Sequence, residues 1–213
     1  PERGRDRIRS MIEARPDWCV SRQRIWGVPL PLFVSKKTKK PLKDLEVIEN
    51  IAKIYEKEGA DCWFTDDPQK FLGKKYNKED YIKSNDIVEV WFDSGATHSY
   101  VLEKRKDLLW PASMYLEGSD QHRGWFHSSL LESCGTRGKA PFKSILTHGF
   151  VVDGKGLKMS KSTGNIIAPE DILKKYGADI LRTWVAASDY AEDLRLDYSI
   201  LEQHAESYRK IRN

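Results

Sequence analysis

The feature that most constrains the fold is a pair of short apolar runs, "SMYLE" at 113–117 and "SILTHGFVV" at 144–152, separated by the helix-length segment "QHRGWFHSSLLESCG". A tight hairpin reverses a chain, whereas a helical crossover brings the second strand back parallel to the first. The pattern is therefore α/β. A third run, "IVEVWF" at 87–92, has the same strand texture.

Residues 35–87 break that texture, being crowded with charge and poor in continuous apolar sequence, and they read as an insertion. Ile48, Ile51, Ile54 and Tyr55 recur there at helical spacing and predict one amphipathic helix. The five lysines between Lys36 and Lys43 are either a phosphate patch or a solvated turn between two strands, and "KKTKKP" favours the turn. Beyond residue 168, Pro169 at a first helical position, with Glu170 and Asp171 after it, starts a helix that Gly177 ends. Ile180, Leu181, Trp184 and Val185 form one further apolar stripe, and Leu201, His204, Tyr208 and Ile211 another, so the last quarter reads as helical.

With 213 residues, of which 39% are hydrophobic, the chain can bury a real core. It has no run of 18 apolar residues and no apolar segment near the start, so neither a membrane span nor a signal peptide is expected, and the compartment expected is the cytoplasm. Cys19, Cys62 and Cys134 stand in no CxxC pair, which argues against a disulfide framework and against zinc; they read as reduced, mostly buried thiols. A net charge of +4 permits a polyanionic partner without requiring one. Residue 1 is not methionine and "SYRKIRN" stops inside a helical pattern, so a piece of a longer protein is expected.

The loop "DGKGLKMSKSTGN" offers the first chemistry. Gly149, Gly154 and Lys155 have a phosphate-loop spacing, but Gly156 stands where a hydroxyl should hold magnesium and Phe150–Val152 are strand formers, so that reading fails. Lys158 and Lys161 instead suit a charge that develops briefly, such as a leaving pyrophosphate, because a mobile loop can close on it and withdraw. At the end of "SMYLE", Glu117, Gly118 and Asp120 meet a ligand edge of an α/β sheet, where a carboxylate can hold an ammonium group or ribose hydroxyls; alternatively Asp120 simply caps a helix starting near Gln121. On that helix, a rotation of about 100° per residue puts Phe126, Leu130 and Cys134 on one stripe and Trp125 with Gln121, Ser128 and Glu132 on a polar face. Trp125 then needs a cover, either another domain or a ligand side chain. Trp91, near Asp93 and Gly95 at a strand end, can wall the same kind of pocket.

"KMSKS" at 158–162 is the signature of the class I aminoacyl-tRNA synthetases, and "RPDWCVSRQRIWGVPLP", "VWFDSGATHS", "MYLEGSDQHRGWFHSSLL", "LTHGFVVDGKGLKMSKSTGN" and "YGADILRTWVAASDY" resemble the isoleucine-specific, bacterial type of that family. The resemblance spans nearly the whole chain and is weakest over 35–87. It implies the second half of a Rossmann-like catalytic domain with a connective insertion, followed by C-terminal helices: residues 1–34 begin that half, 35–87 are the insertion, 88–168 the strand–helix–strand unit with its KMSKS loop, and 169–213 a helical linking region. It further implies that isoleucine and ATP form isoleucyl adenylate, whose acyl group passes to tRNA(Ile).

Carried over by that resemblance, Lys158 and Lys161 are the catalytic lysines. Glu117 would hold the isoleucine ammonium group. Gly118, Asp120, Gln121, Met159, Ser160 and Lys161 would meet the adenylate or ATP, with His148 and Gly149 near the nucleotide. Trp91 and Trp125 would wall the isoleucine side chain. Magnesium is expected with ATP, no protein metal ligand is evident and no zinc is expected. The "HIGH" motif of the family does not occur here, nor does a segment long enough for its editing domain. An apolar pocket separates isoleucine from valine by only about 1–3 kcal/mol, so accuracy would rest on that editing domain. The expected partners are therefore isoleucine, ATP, tRNA(Ile) and the remaining HIGH-bearing, editing and anticodon parts of one polypeptide, and the chain alone is expected to be inactive. A valine-type relative and a non-catalytic nucleotide- or RNA-binding module are the competing readings; Arg182, Arg209, Lys210 and Arg212 are candidate RNA contacts.

Overall fold

The computed structural model describes residues 2–213, residue 3 by its backbone alone. The chain closes into two compact units, one of the residues up to Pro111 together with Arg123–Pro141, the other of Ala112–His122 with Phe142–Asn213.

In the first unit α1 (Glu2–Glu13) is followed by β1 (Ser21–Arg22) and β2 (Phe33–Ser35). The Asp44 carboxylate accepts the Glu46 amide at 2.9 Å and starts α2 (Leu45–Glu58). After α3 (Cys62–Thr65) and α4 (Pro68–Leu72), β3 (Tyr81–Lys83) pairs antiparallel with β2, Val34 opposite Ile82. Phe33, Val47, Ile51, Phe71 and Leu72 bury a core around Trp63. The Phe33 and Phe71 rings stand 5.1 and 4.9 Å from the Trp63 ring, and its indole N–H donates to the Ser84 carbonyl at 2.8 Å, so the one polar atom of the ring is satisfied. The phase of α2 differs from expectation by one position: Val47 is buried and Ile48 is 52% exposed, while Ile51 is common to both. The lysine-rich segment is an exposed turn, closed where the Lys39 amide donates to the Ser35 carbonyl at 2.9 Å.

β4 (Ile87–Val88) pairs antiparallel with β1. It stops after two residues because the Glu89 carboxylate accepts the Trp91 amide at 2.9 Å and starts α5 (Val90–Gly95). "IVEVWF" is thus a strand followed by a capped helix, and Trp91 is helical rather than at a strand end. α5 lies against α6 (Trp125–Arg137), with the Trp125 indole donating to the Ser94 carbonyl at 3.1 Å. A methyl group at Gly95 would stand 2.2 Å from Glu132 Oε1 and 3.0 Å from the Ser128 carbonyl carbon, so a side chain there would displace Glu132. The packing turns the expected polar face inward. Ser128, Ser129 and Ser133 are buried along with Phe126 and His127, whereas Leu130 is half-buried and Cys134 exposed. Small serines let two helices come close where an apolar stripe would hold them apart. Cys19 is exposed as well, so of the three thiols only Cys62 is buried.

In the second unit β5 (Tyr115–Gly118) runs parallel to β6 (Ile145–His148), Glu117 opposite Thr147 and Gly118 opposite His148. "SILTHGFVV" is two strands: β6 ends at His148 and β7 (Val151–Asp153) begins after a break at Gly149 and Phe150. α7 (Pro169–Tyr176) has Pro169 in its first turn and ends at Gly177, and α8 (Ala178–Ala187) follows. The region read as wholly helical also contains β8 (Leu194–Leu196), parallel to β7. Asp197 then caps α9 (Tyr198–Arg212), accepting the Ile200 amide at 2.8 Å. Ile172, Ile180, Trp184, Leu196 and Leu201 form the core, while Val185 and Ile211 are exposed. Among the described residues no helix is long and apolar enough to cross a membrane.

Glu132 makes the α5–α6 contact sensitive to pH. Its Oε1 atom is buried with no hydrogen-bond partner among the described residues, and burial, with the Asp93 carboxyl as a second cause, pushes the Glu132 carboxyl up to about 8. Between the ordinary glutamate value, about 4.3, and about 8, the folded chain keeps a proton that the unfolded chain has lost, so this group's contribution to stability falls as pH rises. Burial, with Arg15 as a second cause, lowers the His127 imidazole, which acts in the opposite sense. Glu132→Gln isolates the carboxyl: the melting temperature of the parent should fall relative to that of the variant from pH 5 to pH 8, and parallel profiles would contradict the assignment.

Candidate functional site

The carboxyl edge of β5 and β6 places Glu117, Gly118, His148 and Gly149 side by side. The exposed Glu117 carboxylate accepts the Gly118 amide at 3.0 Å and stands 3.9 Å from His148 Nε2. One carboxylate therefore stays open to solvent beside an imidazole. Gly118 is buried, and a methyl group there would come 2.7 Å from Asp120 Oδ1. The chain then turns through the 3₁₀ segment Ser119–His122, and α6 begins only at Trp125, preceded by Gly124, so Asp120 is not a cap of α6. Its carboxylate is exposed and accepts the Gln121 side-chain amide at 3.3 Å.

Gly149 joins this edge to the loop. Its amide donates to the Tyr190 carbonyl at 2.9 Å, the Phe150 amide to Asp193 Oδ1 at 2.8 Å, and the Leu194 amide to the Phe150 carbonyl at 2.8 Å. A methyl group at Gly149 would stand 2.2 Å from the Glu192 carbonyl oxygen. β7 is thereby held beside β8, and the loop begins at its carboxyl end, as ligand-binding loops of α/β sheets do.

Within the loop the Asp153 amide donates to the Leu157 carbonyl at 2.9 Å, closing a tight stem at 153–157. The Asp153 carboxylate accepts the Lys155 and Leu157 amides at 3.0 and 2.8 Å. Hydrogen bonding from Asn165, and next from the Leu157 amide, holds its carboxyl below the usual carboxylate range. Met159 packs against the core of the unit, while Ser160 hydrogen bonds to Thr163 and Ser162 at 2.6 and 3.0 Å. Lys158 and Lys161 are exposed, and among the described residues neither has a carboxylate within 4.0 Å. Both ammonium groups remain available to an outside anion. Lys158, with Asp153, Leu157, Thr163, Asn165 and Asp197, lines an open cleft.

Glu117, Gly118, Asp120, Gln121, His148, Gly149, Met159, Ser160 and the two lysines thus belong to one unit, Trp91 and Trp125 to the other. Trp91 is 42% exposed on α5, while Trp125 is half-buried on α6. Asp153, Asn165 and Asp193 belong to no motif that assigns them a role. The "D" before the loop and the "GN" after it were the available signals, but their meeting is set by the fold.

A family model described as "tRNA synthetases class I (I, L, M and V)" matches residues 1–197. Among curated relatives, the isoleucine–tRNA ligase of Pelagibacter ubique is 80% identical over the whole chain, and that of Caldicellulosiruptor saccharolyticus 56% identical. The chain spans about a quarter of their length, 24% in each case. Among solved structures it is similar to the Agrobacterium radiobacter K84 agnB2 LeuRS in its ternary complex with tRNA and LeuAMS, with a TM-score of 0.66 at 19% identity over 96% of this chain and 29% of that one. It is also similar to Mycobacterium tuberculosis methionyl-tRNA synthetase in complex with methionyl-adenylate, with a TM-score of 0.60 at 18% identity over 97% of this chain and 32% of that one. At those identities the structures speak for the fold, a class I synthetase catalytic fold, while the family model and the relatives speak for descent. The chain belongs to the class I tRNA synthetases of the isoleucine, leucine, methionine and valine group.

Proposed function

We propose that the chain is the second half of the catalytic domain of an isoleucine–tRNA ligase, with residues 1–34 entering it, 35–87 as the connective insertion, 88–168 as the strand–helix–strand unit with the loop, and 169–213 as the linking region. The observation that carries this reading is one unit holding both an open carboxylate at a strand edge and a loop with two unpaired lysines. The high identity to isoleucine–tRNA ligases supports the choice of amino acid.

In the first step an isoleucine carboxylate oxygen bonds to the α-phosphorus of ATP, and the bond from that phosphorus to the bridging oxygen breaks, releasing pyrophosphate. The nucleophile is already ionised, so no general base is needed and catalysis is positioning and charge stabilisation. Glu117 pairs with the ammonium group of isoleucine. Gly118, Asp120 and Gln121 line the adenylate, His148 and Gly149 lie toward the nucleotide, and Trp91 and Trp125 wall the side chain. Lys161, with Lys158 in support and Met159 and Ser160 shaping the loop between them, meets the charge that develops on pyrophosphate. In the second step a terminal ribose hydroxyl of tRNA(Ile) attacks the acyl carbon and AMP leaves.

Magnesium arrives with the nucleotide phosphates; among the described residues no three His, Cys, Asp or Glu side chains converge as a metal set, and no step here is assigned to one. Of the candidate RNA contacts on the C-terminal helices, Arg182 and Arg209 are paired with Asp179 and Glu206, which leaves Lys210 and Arg212 the more available. Such exposed pairs are weak and can open for a phosphate. The remaining partners are the HIGH-bearing, editing and anticodon parts of the same polypeptide, and the compartment proposed is the cytoplasm.

Isoleucine-dependent exchange of pyrophosphate into ATP tests the reading. The intact polypeptide should support it and the 213-residue chain alone should not. In the intact polypeptide Lys161→Ala should lower kcat and kcat/KM for ATP together, by roughly 10²–10³, as expected for a charge contact made only in the transition state. A stronger response to valine than to isoleucine, or full activity in K161A, would contradict it.

A further inference from the structure

The segment that carries Lys161 has little apolar anchorage of its own. Met159 and Ile167 pack against the core on either side, but residues 160–165 contribute no buried side chain. Ser160 meets Ser162 and Thr163 within this arc, and the amide of Asn165 ties the arc to Asp153 and Lys158. Asn165 Nδ2 donates to Asp153 Oδ2 at 2.9 Å and to the Lys158 carbonyl at 3.2 Å. Asn165 Oδ1 accepts the Ser160 amide at 2.9 Å and the Thr163 hydroxyl at 2.7 Å. A donor on one side and an acceptor on the other fix the orientation of the amide. Asp153, at the end of β7, receives Asn165 with one oxygen and the stem amides with the other, so it ties the outgoing strand to the returning end of the loop. Gly156 and Gly164, at φ of 82° and 67°, are the turns between these fixed points.

We propose that Asp153 and Asn165 are a positioning pair that sets the reach of Lys158 and Lys161 toward the reacting phosphates. The proposal rests on the reading that the loop serves adenylate formation. The pair acts through the backbone: it fixes the segment from which the lysines extend, so that ordering the loop is not left to the transition state. A loop displaced by about 1 Å from productive geometry can cost on the order of a hundredfold in rate.

The chemistry of the pair supplies its own test. Asp153→Asn sets an amide N–H₂ against the N–H₂ of Asn165, and Asn165→Asp sets one carboxylate against another. The double variant D153N/N165D restores a donor and an acceptor in the reverse sense, although it loses the donation to the Lys158 carbonyl. In the intact polypeptide each single variant should lower kcat and kcat/KM for ATP together by roughly tenfold to a hundredfold, with KM for isoleucine unchanged. The double variant should recover a substantial part of the loss. In the 213-residue chain, protection of the Ser160 amide from hydrogen exchange should fall in both single variants and return in the double one, with the melting temperature little altered. Unchanged Ser160 protection would overturn the pair as a brace, and lost protection without loss of rate, or a double variant no better than N165D, would overturn its role in positioning. If the intact parent shows no isoleucine-dependent exchange, the functional reading fails and the positioning role with it, and the exchange of the Ser160 amide still reports whether the brace exists.

Discussion

The close approach of Gly149 to the backbone of Glu192 is the contact on which the second unit depends. A methyl group at residue 149 would lie 2.2 Å from the Glu192 carbonyl oxygen, and three neighbouring hydrogen bonds fasten the 149–150 step to residues 190–194. On one side of that step lies the β5–β6 edge with Glu117 and His148; on the other lies β7 and the loop it launches. A side chain at 149 would push β7 away from β8, and the lysines would lose their fixed relation to the carboxylate. Two strands of three or four residues are weak alone. Their pairing with neighbours on both sides of the glycine makes them a scaffold.

On the proposed reading, the chemistry asks little else of these residues. When the nucleophile is already a carboxylate, no residue need take a proton, and the useful side chains are those that hold charges at set distances. An exposed acid at a strand end and two exposed cations on a loop meet that need. The loop is built for it in a particular way: its stem is made of backbone hydrogen bonds, its flanks are tied to the core by Met159 and Ile167, and its arc is closed by polar contacts that can break and re-form more readily than a packed core. The first unit is organised differently, around the aromatic core of Trp63 and the tight α5–α6 contact at Gly95.

The parallel β5–β6 pair and the helix from Pro169 to Gly177 were legible because their signals are local: an apolar run, a helix-length spacer, a proline and a glycine at the right ends. The family was legible because KMSKS is a run of letters that does not depend on packing. What failed was decided by neighbours distant in the chain. α6 buries Phe126 as its stripe predicts, but Ser128, Ser129 and Ser133 rather than Cys134, because α5 packs on the side that carries Ser128 and Glu132. "IVEVWF" divided because one carboxylate, Glu89, outweighed the strand pattern by capping a helix. β8 was missed because a three-residue strand between helices has no period to detect, and it exists only through pairing with β7. Asn165 and Asp153 lie twelve positions apart, and no spacing rule predicts that they meet.

The central claim is that the edge at Glu117 and the loop at Lys161 serve one adenylate. The most direct measurement is a crystal structure of the intact polypeptide with a non-hydrolysable isoleucyl adenylate. The ammonium group should lie within hydrogen-bond distance of the Glu117 carboxylate, with the phosphate side of the analogue facing the 158–162 loop. An analogue bound away from Glu117, or with its phosphate side turned from the loop, would contradict the account.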